Sequence, residues 1–488
     1  SREIIEGDSS MTNSSREYLQ GLIGAVITDC VIRVPCLRKE LERDHTRLNS
    51  AMEHRGLSFF TIDLPDAGKH FDKCLSDGRL TKFELPHMRP FKRGGVIPRL
   101  FKGLLLRVFQ ESGELRAHPD LLCIELLRML FNFLKKLDME CSDDKTYRSV
   151  REFFEIEQAV RSGSLYWESD VLDAERSSDL HFCDGLDSRN ASHSSDDQLD
   201  LPGMEKALPI ADRGLIECFQ QVADIVSSTL GRFNPSEWKA KHGPGAVSDL
   251  PGGADKYQFP YWPDKLEGRF PLSEFAFANY ERWVDYLNGD GQEKRFSLHE
   301  PPARLIAVPK TQKGPRLIAS EPTCHQWIQQ LVRRFVIRAI ADTPVSPSIS
   351  LRDQGVNQCA AKAASLGSGH ATVDLSSASD RLTCWTVERF FRRNPEFLLD
   401  IHACRTRWMV NTIDRRLPKH IVLKKFACQG SALTFPIQTL IYASAGVAAV
   451  LYARSVKPSL RTVRNVSRSV HVFGDDTVIP LDALDAYE

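Results

Sequence analysis

The sequence predicts an α+β protein, and three observations carry that reading. The first third has apolar residues at helical spacing, and two β-prone pairs of runs further on read as hairpins, one around Thr311-Gln312-Lys313-Gly314 and one around Gly474-Asp475-Asp476. A chain of 488 residues, 42% apolar and 26% charged, has the make-up of an ordinary globular protein and length for two or three domains or subdomains.

In chain order, Leu19 to Leu48 and Pro119 to Leu137 carry helical periodicity. A Ser/Asp-rich stretch from Asp179 to Gly203 reads as a surface loop. The Gly/Pro-rich segments His242-Gly243-Pro244-Gly245 and Pro251-Gly252-Gly253 precede the aromatic run Tyr257 to Pro263. Aromatics beside prolines read better as loop packing than as a base-stacking platform. Arg304–Lys310 and Pro315–Ser320 form the first hairpin, where Lys310, Lys313 and Arg316 are placed to grip a triphosphate. A helix follows from about Thr323 to Ala341, with cations at Arg333, Arg334 and Arg338.

Ala371-Thr372-Val373 reads as a short buried strand ending at Asp374. Asp380 is expected to N-cap a helix through Arg393, with Pro395 as its stop. In Phe426 to Thr439, Gly430, Thr434 and Gln438 recur every four residues. A helix beginning near Ser431 would put the last two on one face, the Gly430 turn admitting template backbone while Thr434 and Gln438 read the sugar. The apolar run from Ile437 to Ala453 is short for a membrane span and suits a buried helix. In the last hairpin, Gly474 can take the positive φ that a tight turn demands.

Charge is unevenly distributed. The net charge is zero, yet residues 301–470 hold 25 Lys and Arg against 9 Asp and Glu, a surplus of 16. A basic segment of that size favours a polyanion channel. The twelve cysteines include no Cys-x-x-Cys and no zinc spacing, which predicts buried, reduced thiols. The acidic positions Asp374, Asp475 and Asp476 supply the carboxylates that a two-metal phosphoryl-transfer site needs, because hard Mg²⁺ prefers carboxylate oxygen.

The order Lys310/Arg316, Asp374, Gly430/Thr434, Gly474-Asp475-Asp476 resembles the motif series of viral RNA-dependent RNA polymerases. Ala371 to Asp380, Asp353-Gln354-Gly355-Val356-Asn357-Gln358, Glu321-Pro322-Thr323 and Thr434-Phe435 resemble the replicase β subunit of single-stranded RNA bacteriophages, of levivirus type. Arg55 to Pro65 and His242 to Gly245 are similar with lower specificity.

The resemblance implies a right-hand polymerase. Residues 1–300 would be an N-terminal, largely helical region and fingers, 301–368 fingers with the nucleotide-phosphate motif, and 369–488 palm, with the thumb and the end of the palm lying beyond this chain. It implies two Mg²⁺ ions, or Mn²⁺, on Asp374, Asp475, a supporting Asp476 and the Leu375 carbonyl. It further implies phosphate contacts from Lys310 and Arg316, and a ribose-selecting set of Asp380, Thr434 and Gln438. Phe473 stands where many relatives have Tyr, and Gln438 where Asn is common. RNA template and product and ribonucleoside triphosphates are the implied partners, with host translation elongation factors and a ribosomal protein, in the cytoplasm of a bacterial host and away from membranes.

Reverse transcriptases, which share these aspartates, carry an aromatic ring five residues after the first. Here that place is Ser379, which leaves room for a ribose.

Overall fold

The N-terminal part of the described chain is helical, and the strands lie further on, paired mostly antiparallel and interleaved with helices, which makes this an α+β architecture. The structure is a computed structural model, and it describes residues 13–137, 140–161, 210–251, 256–257, 259–288 and 300–488. The Ser/Asp-rich stretch 179–203 lies outside the described residues. The chain divides into two compact units, 1–149 with 308–316, and 150–307 with 317–488. These boundaries differ from the three consecutive segments expected, because the tip of the first hairpin clusters with the N-terminal unit.

The first unit is built from α1 (Asn13–Arg33), α2 (Arg38–Arg55), α3 (Leu64–Ser76), α4 (Lys102–Val108) and α5 (Leu121–Asn132). The single helical stretch expected from Leu19 to Leu48 is two helices. Pro35 forces the preceding Val34 to φ −133°, ending α1, and opens a 3₁₀ turn ahead of α2. Asp120 caps α5, its carboxylate accepting from the Leu122 and Cys123 amides at 3.0 and 3.2 Å. The core is phenylalanine-rich, with Phe71, Phe101, Phe109 and Phe131 in ring contact at 5.5–6.1 Å.

The second unit takes up the chain within α6 (Asp143–Ala159) and continues with α7 (Ile210–Thr229). Strands β1 (Ala303–Thr311) and β2 (Gly314–Ser320) form the expected hairpin. They join β4 (Trp408–Val410) and β5 (His420–Val422) in a sheet of order β2-β1-β4-β5. Between these lie α8 (Thr323–Ile340), α9 (Gly355–Ser365), β3 (His370–Asp374), α10 (Cys384–Phe390) and α11 (Pro395–Cys404). After β5 come α12 (Thr434–Ala453), β6 (His471–Phe473) and β7 (Asp476–Pro480). The last two join β3 in an antiparallel sheet of order β3-β7-β6.

Helix α12 is the central core element of this unit, with Ile437, Leu440, Ile441, Val447 and Val450 at most 2% exposed. Among the described residues it alone is long and apolar enough to cross a membrane, but 83% of its apolar window is buried inside the protein. The aromatic run beginning at Tyr257 packs as a loop cluster: the Phe259 ring contacts Trp262 at 5.6 Å and Trp327 at 5.6 Å. The described cysteines form no disulfide with one another and are mostly buried.

One helix boundary corrects the sequence reading. Ala378–Arg381 is a single helical turn, and α10 begins separately with Thr383 as its cap, the hydroxyl accepting from the Thr386 amide at 3.1 Å. Asp380 is therefore not an N-cap. Pro395 opens α11 rather than ending a helix, since a proline at the first helical position leaves no donor unsatisfied.

Candidate active site

The register of β3 against β7 decides where the acids lie. Asp374, the last residue of β3, is paired with Asp476, the first of β7, and in an antiparallel ladder opposite residues project from the same face. Strands β6 and β7 close on each other at Phe473 and Asp476, so Gly474 and Asp475 alone form the turn. Gly474 has φ +70°, as the first central position of a two-residue hairpin requires, and a Cβ there would lie 3.0 Å from the Phe435 ring. The fold thus brings Asp374, Asp475 and Asp476 to one end of one sheet.

Several side chains hold this edge. The Gly474 amide donates to Thr439 Oγ1 of α12 at 3.1 Å, pinning the turn to the core helix. Phe473 packs edge-on against Phe435 at 5.1 Å, so the ring sits behind the turn. Gln354 donates its amide to the Asp476 carboxylate at 3.1 Å, and Asn357 donates to the Asp476 carbonyl at 2.9 Å. Asp374 is exposed and has no hydrogen-bond or ion-pair partner among the described residues. The Tyr442 hydroxyl donates to the Ala378 carbonyl at 2.8 Å. Burial, with Tyr487, Asp475 and Asp380 nearby, pushes its pKa above the usual tyrosine range. Just beyond β3, Ser377 has φ +51°, a left-handed conformation that is uncommon outside glycine.

Asp380 enters a buried ionic cluster. Lys425, which is 0% exposed, donates to Asp380 at 2.9 Å, lies 3.3 Å from Glu157, and sits 3.4 Å over the centre of the Phe153 ring. Burial would lower the Lys425 ammonium, but Cys428, Glu157 and Asp380 outweigh it and hold the lysine above its ordinary value. Burial pushes the Cys428 thiol up to about 12, so at neutral pH the two carboxylates carry the compensating charge. Glu157 also accepts from the Lys424 and Lys425 amides, which fixes the loop after β5.

The Gly430, Thr434 and Gln438 stripe is closed. Gly430 has φ +125°, and a Cβ there would stand 1.9 Å from the Ala319 carbonyl oxygen of β2. The close approach that glycine permits is to the protein's own strand, not to a template. The Thr434 hydroxyl donates to the Cys428 carbonyl at 2.7 Å, and Thr434 and Gln438 are 7% and 5% exposed. Ser379 is also buried, its hydroxyl meeting Gln429 Nε2 at 3.3 Å, so the room expected beside it is filled.

The basic hairpin tip lies in the N-terminal unit, where Lys310, Lys313 and Arg316 are exposed. Lys313 is ion-paired with Asp66, and the tip is held by Gln312 donating to the Glu140 carbonyl at 3.2 Å.

Sequence reasoning quoted Gln354 and Asn357 only within a motif and gave neither a role. Their amides sit ahead of α9 and in its first turn, a position that becomes informative only once α9 is known to pack beside β7. Glu157 and Lys425 left no local signal, being 268 positions apart.

The profile of the family described as RNA replicase, beta-chain, matches residues 225–486, more than half of the chain. The chain belongs to this family. Among curated relatives it is similar to the RNA-directed RNA polymerase beta chain of Enterobacteria phage GA, 28% identical over 214 residues covering 44% of this chain and 36% of that protein. It is similar to the RNA-directed RNA polymerase subunit beta of Escherichia virus Qbeta, 30% identical over 193 residues, 39% of this chain and 29% of the relative. A third is the RNA-directed RNA polymerase beta chain of Escherichia phage MS2, 26% identical over 176 residues, 36% and 28%. The chain thus spans about a third of the length of these relatives. The aspartate edge of this replicase-family chain, Gln354, Asn357 and Lys425 all fall inside the matched residues, whereas Glu157 and the basic hairpin partner Asp66 fall outside them.

Proposed function

We propose that this chain carries the fingers and palm of a right-hand RNA-directed RNA polymerase that extends RNA on a viral single-stranded RNA template. The observation that carries the reading is the register that sets Asp374 opposite Asp476 with Asp475 in the adjoining turn. Membership of the replicase β-chain family, whose relatives bear the name RNA-directed RNA polymerase, supports it.

The donor chemistry fits a hard divalent cation. All the side-chain donors are carboxylate oxygens, and two like charges opposed across a ladder are destabilising without a cation between them. Among the described residues no three acidic, His or Cys side chains already converge as a ligand cluster, so the acids share an edge and close on an ion only by side-chain rotation. Asp374 and Asp475 would hold Mg²⁺ or Mn²⁺, with Asp476 and the Leu375 carbonyl in support. Held by those oxygens, such ions would lower the pKa of a 3′-hydroxyl and neutralise charge on the triphosphate.

The chain's own residues do the positioning. Gln354 orients Asp476, Thr439 and Phe435 fix the turn that carries Asp475, and Lys425 with Glu157 holds Asp380 at the exit of β3. Lys310 and Arg316 are the phosphate-binding cations in this reading. Asp380 is the ribose contact, because Thr434 has spent its hydroxyl on Cys428.

Asp475→Asn tests the proposal. Incorporation of ribonucleotides on a primed template should fall below roughly 1% of wild type while RNA binding is retained. Undiminished synthesis by that variant would reject the aspartate edge as the site.

A further inference from the structure

We propose that a groove in the second unit, on the outer edge of β6, binds the phosphodiester backbone of single-stranded RNA at a site separate from the aspartate edge. The groove has a volume of about 1160 Å³, and its lining carries five cations, Lys239, Arg333, Arg334, Arg338 and Arg352, against two acids. Both acids are engaged locally: Asp353 accepts from the Gly355 amide at 2.8 Å and Glu237 from Asn234 at 3.0 Å. Among the described residues none of the five cations is in an ion pair. Arg334 only donates to the Lys239 carbonyl, at 2.7 Å, a contact that leaves its charge uncompensated.

Folding does not account for this cluster. Arg334 and Arg338 stand four residues apart on α8, where like charges destabilise a helix by a few tenths of a kcal/mol. A surplus of three positive charges lining one concavity is stabilised by an external polyanion. Arginine forks suit phosphate oxygens, Ser346 and Ser350 add polar groups, and the apolar side chains of the lining, among them Trp238, Ile349 and Leu351, leave surfaces for bases to lie against.

The groove also connects to the acids through the backbone. Ile349 pairs with Val472 of β6, and the Ser350 amide donates to the Val472 carbonyl at 3.3 Å. The same segment continues through Arg352 and Asp353 to Gln354, which holds Asp476. It lies beyond β6 in the order β3-β7-β6, so three strand spacings, about 15 Å, separate it from β3. A single strand in the groove would be led to the aspartate edge without occupying it. That the polyanion is RNA rests on the polymerase reading.

The experiment uses the full chain and a fluorescent oligouridine, with anisotropy measured across a salt series. Lys239, Arg338 and Arg352 are exposed, so K239Q/R338Q/R352Q removes charge without opening the core. Losing three phosphate contacts should flatten the slope of log affinity against log salt by about 2, which is on the order of a 100-fold weaker affinity at 0.1 M salt. R338K/R352K should retain the wild-type slope. An unchanged slope in the triple variant overturns the proposal, as does displacement of the RNA by inorganic triphosphate at equal phosphate concentration, which would make the groove a small-anion pocket. Asp475→Asn separates the two readings: if it still synthesises RNA the aspartate assignment falls, while the salt slope continues to report on the groove alone.

Discussion

The aspartate edge and the Gly430, Thr434 and Gln438 stripe are both polar, both lie in the second unit, and differ in how far the protein closes over them. At the edge, Asp374 is exposed and opposed by a like charge. In the stripe, Thr434 has a protein partner, Gly430 rests on Ala319, and Gln438 is buried. Polar groups left open at a sheet end are available for chemistry, whereas polar groups closed inside a core specify packing. The two regions should therefore respond oppositely to substitution: the closed one through stability, the open one through activity.

The largest stability effect is expected at Gly430. Gly430→Ala must move either β2 or the 428–431 turn, because the added carbon would overlap the Ala319 oxygen and the residue sits at positive φ. We expect a loss above about 4 kcal/mol, measured as a shift of the denaturant midpoint. A loss under about 1 kcal/mol would mean the turn is open enough to admit another backbone after all.

Lys425→Met should come next. It leaves Glu157 and Asp380 facing each other with no cation, for which about 3–5 kcal/mol is the usual penalty. Adding Glu157→Gln and Asp380→Asn should restore most of it. If the triple variant regains stability but discriminates poorly between ribo- and deoxyribonucleotides, the Asp380 carboxylate takes part in sugar choice. If it regains both, Asp380 has no part in sugar choice.

The closed polar groups should also dominate the acid response. His325 is fully buried with its ring nitrogen 2.8 Å from the Thr406 hydroxyl, and burial, with Lys265 nearby, depresses its pKa to about 3. A depressed histidine gives stability that is complete above its unfolded value near 6.5 and is lost as pH falls from there through about 3, because the unfolded state binds the proton first. Urea melts at pH 7, 5.5 and 4 should show this decline, and His325→Gln should flatten it. In the N-terminal unit Asp44 works in the opposite direction: burial raises its pKa to about 6, so protonation below that value stabilises that unit.

The sequence was legible where local rules act alone. The β1–β2 and β6–β7 hairpins, the helix from Thr323 and the buried character of α12 all follow from periodicity and turn chemistry, and the structure has them. Motif order grouped Asp374 with Asp475 and Asp476, but the pairing of Asp374 with Asp476 is a matter of register, which is a tertiary fact. The errors share a cause. Helical spacing put Thr434 and Gln438 on one face but could not say whether that face met solvent. Asp380 looked like a cap because its partner, Lys425, comes from a distant loop. The same applies to Gln354 and Asn357, whose function is set by the strand they lie against.

Asp374→Asn should have the smallest effect on stability and so tests the open edge most sharply. Removing one of two like charges opposed across β3 and β7 should leave stability unchanged or raise it by a few tenths of a kcal/mol, up to about 1. RNA synthesis should nevertheless be lost, because Asn keeps the shape and the hydrogen-bonding capacity but not the negative charge that a divalent cation requires. A variant that is both less stable and less active would place Asp374 among the structural acids, like Glu157. One that is as active as wild type would mean that the register sets two carboxylates face to face for a reason other than catalysis. Lost synthesis at full stability is the one outcome a purely structural role cannot produce, and it is the result that the exposed position of Asp374, without a side-chain partner among the described residues, leads us to expect.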